Sequence, residues 1–149
     1  MTAEALWIAT RAGVYGCVPM LVAMVFGLDS AWGMLTVPGI AFVGGFGWAC
    51  FGISIAGFAS SFENFNYVVS AVLTPLFLVA GTFFPIDQLP EWAQVVANLN
   101  PLYHLVELVR HAAFGFEGWT DLARLGFLVA FGLVMWRVAI YAMTRKLVD

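Results

Sequence analysis

Residues 100–115 read NPLYHLVELVRHAAFG. Two histidines, a glutamate and an arginine fall between His104 and His111, in a chain that is 62% hydrophobic and only 10% charged. Asparagine is a good helix cap and proline suits the first helical position, so Asn100-Pro101 predicts a helix running to Phe114. Leu102, Leu105, Val106, Val109 and Ala113 share one face of it. At about 100° per residue, His104, Glu107 and His111 gather on the opposite face, flanked by Tyr103 and Arg110. Such a helix is too short to cross a bilayer, which takes about 20 apolar residues. Just upstream, PEWAQVVANLN (residues 90–100) is a second short, half-apolar segment with Trp92, Val95, Val96 and Leu99 on one side. Prolines bound both segments. Paired helices of this kind lie on a membrane surface or dip part-way into it, beside protein or a wet cavity.

Outward from this region the chain consists of long uncharged runs. Trp7–Leu28 is the first. At about 1.5 Å per residue it reaches roughly 33 Å, enough for a hydrocarbon core of about 30 Å, and Pro19 lies within it. A DSAWG turn (residues 29–33) leads to a second run, Leu35–Phe58. Here Ala41, Gly45, Ala49, Gly52 and Ala56 recur at helical spacing, followed by Ser60, a pattern that lets another helix approach closely. The linker SSFENFN (residues 60–66) carries Glu63 and leads to a third run, Tyr67–Phe84, interrupted by Pro75 and ended by Pro85 and Pro90. The last is Leu122–Met143. The expected fold is therefore an all-α membrane protein. It has about four transmembrane helices and two short external re-entrant or interfacial helices between the last two, in one domain over residues 1–149. The first run reads as a span and not as a secretory leader, because it is too long and lacks a small-residue cleavage site.

Arg11, Arg137, Arg145 and Lys146 are expected to be interfacial anchors whose long stems carry their charges to the membrane surface. Arg11 near one terminus and Arg145 and Lys146 near the other place both termini on the cytoplasmic side of the membrane. The region from Pro85 to Asp121 is then external. Trp7, Trp32, Trp92, Trp119 and Trp136 fall near the expected boundaries, as an aromatic belt would.

A net charge of −3 with only six Lys and Arg leaves no basic patch for nucleic acid. Cys17 and Cys50 sit inside apolar runs and read as small buried hydrophobes. His104, Glu107 and His111 raise the possibility of a zinc-dependent intramembrane enzyme. However, the helical zinc motif needs histidines four apart with the glutamate directly after the first. A solvated helix face, with Glu107 and Arg110 pairing at i, i+3, is the preferred reading of these residues. No phosphate-binding loop is present, and the glycines of GGFGWACFG (residues 44–52) read as helix packing. No catalytic residue, metal ligand or cofactor is expected on this chain.

GTFFPIDQLPEW (residues 81–92), LNPLYHLVELVR (residues 99–110) and a last span ending RVAIYAMTRKLVD (residues 137–149) occur in this order. In that combination the chain resembles the C-terminal half of the type-2 ABC exporter permeases, nearest the nodulation lipo-oligosaccharide exporter subgroup. The resemblance rests on Gly81, Phe84, Pro85, Leu89, Pro90, Pro101, Glu107 and Arg110. It implies an external re-entrant region made by Gly81, Phe84, Pro85, Pro90, Pro101, His104, Glu107 and Arg110, shaped by its prolines and fastened by Glu107 and Arg110. It also implies a permease homodimer docked on separate ABC ATPase subunits, exporting lipo-oligosaccharide, polysaccharide or a hydrophobic drug. Two spans of the family pattern have no counterpart here. A regulatory or non-functional half-permease is accordingly the alternative expectation, alongside the metal-dependent enzyme.

Overall fold

The computed structural model describes residues 1–26, 32–59, 61–82, 86, 90–115 and 117–148. Its regular elements are all helical: α1 (Thr2–Val25), a 3-10 turn (Trp32–Thr36), α2 (Val37–Phe58), α3 (Phe62–Leu78), α4 (Glu91–Leu99), α5 (Pro101–Phe114) and α6 (Trp119–Val148). Three helical stretches are long and apolar enough to cross a membrane: Thr2–Val25, Gly33–Phe58 and Trp119–Arg145.

Helix α2 is the hub, and its glycines explain why. A Cβ built on Gly45 would lie 2.6 Å from the Ala12 Cβ of α1. One on Gly44 would lie 2.6 Å from Leu105 of α5, and one on Gly57 would lie 2.7 Å from Ala142 of α6. Three neighbours thus approach α2 on three sides through side chains that are not there. In lipid, where apolar tails offer no hydrophobic drive to associate, such close contact is the main source of helix–helix attraction. Small residues of α1 complete the seam: Ala41 faces Gly16, Gly45 faces Ala9 and Ala12, and Ala49 clusters with Ala5 and Cys50. Gly52 and Ala56 leave it. Among the described residues nothing lies within 4 Å of a Cβ placed on Gly52, and Ala56 is exposed. Ser60 lies outside the described residues.

The third helix departs from its expected bounds of Tyr67–Phe84. It starts earlier because Ser61 caps it, accepting a hydrogen bond from the Asn64 N–H at 3.2 Å. Glu63 therefore belongs to the first turn, where its charge suits the positive end of the helix dipole. Pro75 lies inside α3 without ending it. The helix stops at Leu78, and Gly81 with φ of +75° turns the chain, a conformation that glycine adopts without penalty. At 17 residues α3 reaches only about 25 Å, somewhat short of a hydrocarbon core of about 30 Å.

Large apolar side chains remain exposed along α1 (Trp7, Val14, Leu21), α4 (Trp92, Val95, Leu99) and α6 (Leu122, Leu133, Tyr141). A chain bathed in lipid leaves such faces outward, since there is no water for them to avoid.

Candidate functional site

Helix α5 starts as its sequence requires. Asn100 accepts a hydrogen bond from the Leu102 N–H at 3.0 Å, and Pro101 takes the first helical position. Asn100 also does something its sequence position does not reveal. Its side-chain amide donates to the Leu76 carbonyl at 2.7 Å, near the end of α3. The Ala80 N–H that would ordinarily bond that carbonyl bonds Phe77 instead. Asn100, only 1% exposed, thus caps two helices at once. Replacing Asn100 with leucine should cost about 1–3 kcal/mol, since a cap is lost and a buried carbonyl is left unpaired. Asn100→Ser keeps the cap but cannot reach Leu76, so its melting midpoint in detergent should fall between those of wild type and Asn100→Leu. Equal midpoints for Ser and wild type would refute the second cap.

The polar face of α5 is not solvated, contrary to expectation. Glu107, Leu108 and Ala112 are buried. Leu108 and Ala112 pack with Val37 and Ile40 of α2 and Leu128 of α6. Beside them Glu107 and His111 meet Asp121 and Arg124, which come from the first turns of α6. His111 Nδ1 lies 2.6 Å from Asp121 Oδ1, and His111 Nε2 lies 3.5 Å from Glu107 Oε2. The Arg124 guanidinium bridges Asp121 at 3.4 Å and Glu107 at 3.9 Å. The second Asp121 oxygen accepts the Glu117 N–H at 2.7 Å. Arg110 closes the group, donating to Glu107 at 2.5 Å and to the Gly81 carbonyl at 3.1 Å. Two carboxylates and two guanidinium groups thus meet around the His111 ring. The face turned inward because α6 supplies the opposite charges; a lone carboxylate there would have stayed in water.

His104 takes no part in this cluster. Its Nε2 lies 2.8 Å from the Asn98 carbonyl, and its ring packs against Phe127 of α6 at 4.4 Å between centroids. Sequence spacing grouped it with Glu107 and His111, but its ring turns toward the α4–α5 junction. Among the described residues no group of three or more His, Cys, Asp or Glu is arranged to hold a metal ion. Burial pushes the His104 imidazole below its ordinary value of 6.5, opposed by the Asn98 hydrogen bond and reinforced by the charge of Arg124. In the unfolded chain His104 binds its proton near pH 6.5, and in the folded chain only at lower pH. Stability is therefore full above that value and falls as pH drops below it. The melting midpoint should hold between pH 8 and pH 7 and decline towards pH 5.5, less steeply in His104→Phe. Parallel pH profiles for the two would count against this.

The other sequence-derived positions are spread through the molecule. Pro90 precedes α4 with extended backbone, and Gly81 joins the site through its carbonyl. Phe84, Pro85 and Leu89 lie outside the described residues. Arg137 and Arg145 are exposed on the C-terminal half of α6; Lys146 lies in the same helix, its side chain outside the described residues. Arg11 lies on α1 beside the Gly45 level of α2, and its guanidinium donates onward to the Tyr15 hydroxyl at 3.2 Å. It reaches outward along α1, toward the end of the bundle that holds the ionic cluster. Asp121 and Arg124 were missed from sequence, although an acid–base pair at i, i+3 just inside an apolar span is a signal that can be sought.

The family model described as ABC-2 type transporter matches residues 1–114, a stretch that includes the α4–α5 pair and Glu107, Arg110 and His111. The chain belongs to the ABC-2 type transporter family. It is a multi-pass membrane protein. It is 28% identical over 146 residues to nodulation protein J of Sinorhizobium fredii (strain NBRC 101917 / NGR234), covering 98% of this chain and 56% of that protein. Against nodulation protein J of Bradyrhizobium diazoefficiens it is 32% identical over 108 residues, 72% of this chain and 41% of the relative. The inner membrane transport permease YadH of Escherichia coli K12 is 31% identical over 83 residues, 53% of this chain and 32% of the permease. The chain spans about half the length of these curated relatives, matching their C-terminal half. No solved structure matches it.

Proposed function

We propose that this chain forms the C-terminal part of the membrane permease of an ATP-driven exporter for amphipathic cargo: a lipo-oligosaccharide, a polysaccharide or a hydrophobic drug. The observation that carries this reading is the depth of the α4–α5 pair in a chain of this family. Leu105 lies beside Gly44, about 10 Å along α2 from Val37, and Pro101 lies about 6 Å further along α5. The tip of the pair would then reach about half-way into a hydrocarbon core of about 30 Å. Non-helical backbone survives at that depth only where protein or a wet path shelters it. On this reading α3 crosses as well, making four crossings, α4 and α5 re-enter from the external side, and both termini are cytoplasmic, with Arg137, Arg145 and Lys146 at that boundary.

ATP binding and hydrolysis would take place on a separate ABC ATPase subunit, and two permease copies would flank the path. ATP need only favour one of two arrangements of the helices by differential binding. The ionic cluster would let α5 move with α6 as one body, because separating them exposes opposite charges to an apolar medium.

The test is transport itself. The full-length permease is co-expressed with an ABC ATPase encoded beside it and reconstituted in vesicles, and ATP-dependent movement of a fluorescent lipo-oligosaccharide or drug is followed. Movement that needs the permease, and that is abolished by an ATPase variant unable to hydrolyse ATP, supports the reading. ATPase activity indifferent to the permease, with no movement of any cargo class, would sink it.

A further inference from the structure

The three helical stretches able to span a membrane have their midpoints in one layer. A Cβ on Gly45, at the middle of the second, would lie 2.6 Å from the Ala12 Cβ of α1. One on Gly47 would lie 3.4 Å from the Cα of Gly132, the middle of the third. Arg11 belongs to this central layer, within about 4 Å of the middle of α1 by helical rise. It is exposed, on the side of α1 away from Ala5, Ala9 and Gly13, which are buried toward α2. A charge at such a depth is costly in lipid, and side chains of this kind face protein or a wet path and meet a partner there. Among the described residues Arg11 makes no ion pair; it donates to the Tyr15 hydroxyl at 3.2 Å, with its Cζ 5.6 Å from the centre of the Tyr15 ring. A guanidinium relieved by the membrane surface would lean toward Thr2, the nearer end of α1 and the direction in which helical side chains point. This one turns the other way, to Tyr15.

We propose that Arg11 and Tyr15 form a binding site for an anionic group, the phosphate or carboxylate of an amphiphile on its way across the membrane. The Tyr15 oxygen accepts from Arg11, so its own hydrogen is left to donate, and a guanidinium has hydrogens to give and no acceptor. The pair therefore presents donors around one positive charge, which suits an oxyanion with several acceptor oxygens. A second copy of the chain at the same depth is poorly placed to supply that anion. Among the described carboxylates, Glu107 and Asp121 are held in the ionic cluster and Glu4 lies 3.6 Å from the N-terminal amine. Glu63 follows the end of α2 and Glu117 precedes α6. Glu91 is left as the protein-borne alternative, although it stands in the first turn of α4, where the helix dipole already suits its charge. The crossing of the amphiphile rests on the export reading and narrows it to cargo with an acidic group. The anion site itself does not depend on that reading.

The experiment uses the whole chain, labelled with nitrogen-15 at arginine, in dodecyl maltoside micelles. Its five arginines give five Nε–H signals, and Arg11→Gln assigns the one from Arg11. If that variant does not fold, Arg11→Lys makes the same assignment. Decyl phosphate, decanoate and inorganic phosphate are added in separate titrations, with decyl maltoside as the neutral control. The expected result is a saturable shift of the Arg11 signal, while Arg137 and Arg145, exposed on α6, drift in proportion to the added charge. Saturation by the alkyl anions alone identifies a head group as the ligand. Equal saturation by inorganic phosphate identifies a site for a free anion. Tyr15→Phe should keep the Arg11 signal and weaken binding about tenfold or more, as loss of a hydrogen bond to a charged group does. Three results would each overturn the proposal. The Arg11 signal could drift in step with Arg137 and Arg145, or binding could be equally tight in Tyr15→Phe. Alternatively, the signal could ignore every anion until Glu91→Gln is introduced, which would seat the carboxylate of a second copy there. Because binding is read without transport, failure here leaves the export reading to its own test.

Discussion

Asp121→Ala is expected to lower the unfolding free energy of the chain by about 3–5 kcal/mol, the cost of removing one partner from a buried ion pair. Asp121 is 5% exposed and holds three groups: the His111 ring, the Arg124 guanidinium and the Glu117 N–H. Without it the Arg124 charge, its side chain only 16% exposed, keeps one distant carboxylate. Arg110→Ala should cost much less, about 1 kcal/mol, because its side chain is 45% exposed and water can replace its contacts. Urea unfolding in detergent micelles, followed by circular dichroism, measures both. Equal losses for the two variants would mean that burial does not set the strength of the cluster. A further variant sharpens the point. Replacing Glu107, His111, Asp121 and Arg124 together with apolar residues should restore most of the stability lost in Asp121→Ala, since the one charge left, on the half-exposed Arg110, keeps the Gly81 carbonyl and water. If the cluster couples α5 to α6 during transport, that variant would be stable and inactive.

Gly45→Leu should be at least as damaging, at or above the top of the roughly 1–3 kcal/mol range for overpacking. Its Cβ alone would stand 2.6 Å from the Ala12 Cβ and 3.5 Å from the Ala9 Cα, neither of which can swing aside. Helix α1 would have to move away bodily and release the Ala5, Ala49 and Cys50 cluster with it. Gly52→Leu should do the reverse. Its Cβ meets nothing, and glycine inside a helix costs about 0.5–1 kcal/mol relative to alanine, so the chain should be unharmed or slightly steadier. Thermal melts of the two variants in one detergent decide this, and a Gly52→Leu midpoint as low as that of Gly45→Leu would refute the assigned seam. The same Gly52→Leu protein tests the proposed homodimer. Loss of the dimer on size-exclusion chromatography with the melt unchanged would place a second copy against the Gly52 and Ala56 side of α2.

The contrast between Gly45 and Gly52 marks how far sequence reading reaches. Spacing of small residues shows that a helix face is built for close approach, but not by which helix, nor for how many turns. Ala41, Gly45 and Ala49 are covered because α1 crosses them, whereas no described residue lies within 4 Å of a Cβ placed on Gly52. The termini of α3 carry a similar lesson. Sequence predicts an interruption at Pro75 and an end at Pro85 and Pro90, yet Pro75 is carried within the helix, which starts at a serine cap and stops at Leu78, ahead of a left-handed glycine. Caps and glycine turns are local signals and were legible at Asn100, where a proline followed, but less so at Ser61 inside a polar run.

Local chemistry in the chain determined its helical and apolar character, the cap of α5, the short paired helices and the family to which it belongs. These follow from periodicity, length and turn residues, which act over a few positions. Tertiary structure alone decided that the polar face of α5 turns inward, that His104 parts from Glu107 and His111, and that Asn100 caps α3 as well as α5. Each depends on groups far away in sequence: Asp121 and Arg124 on α6, Leu76 on α3 and Phe127 on α6. A charged face is solvated or buried according to whether opposite charges meet it, and periodicity within one helix carries no record of what another brings.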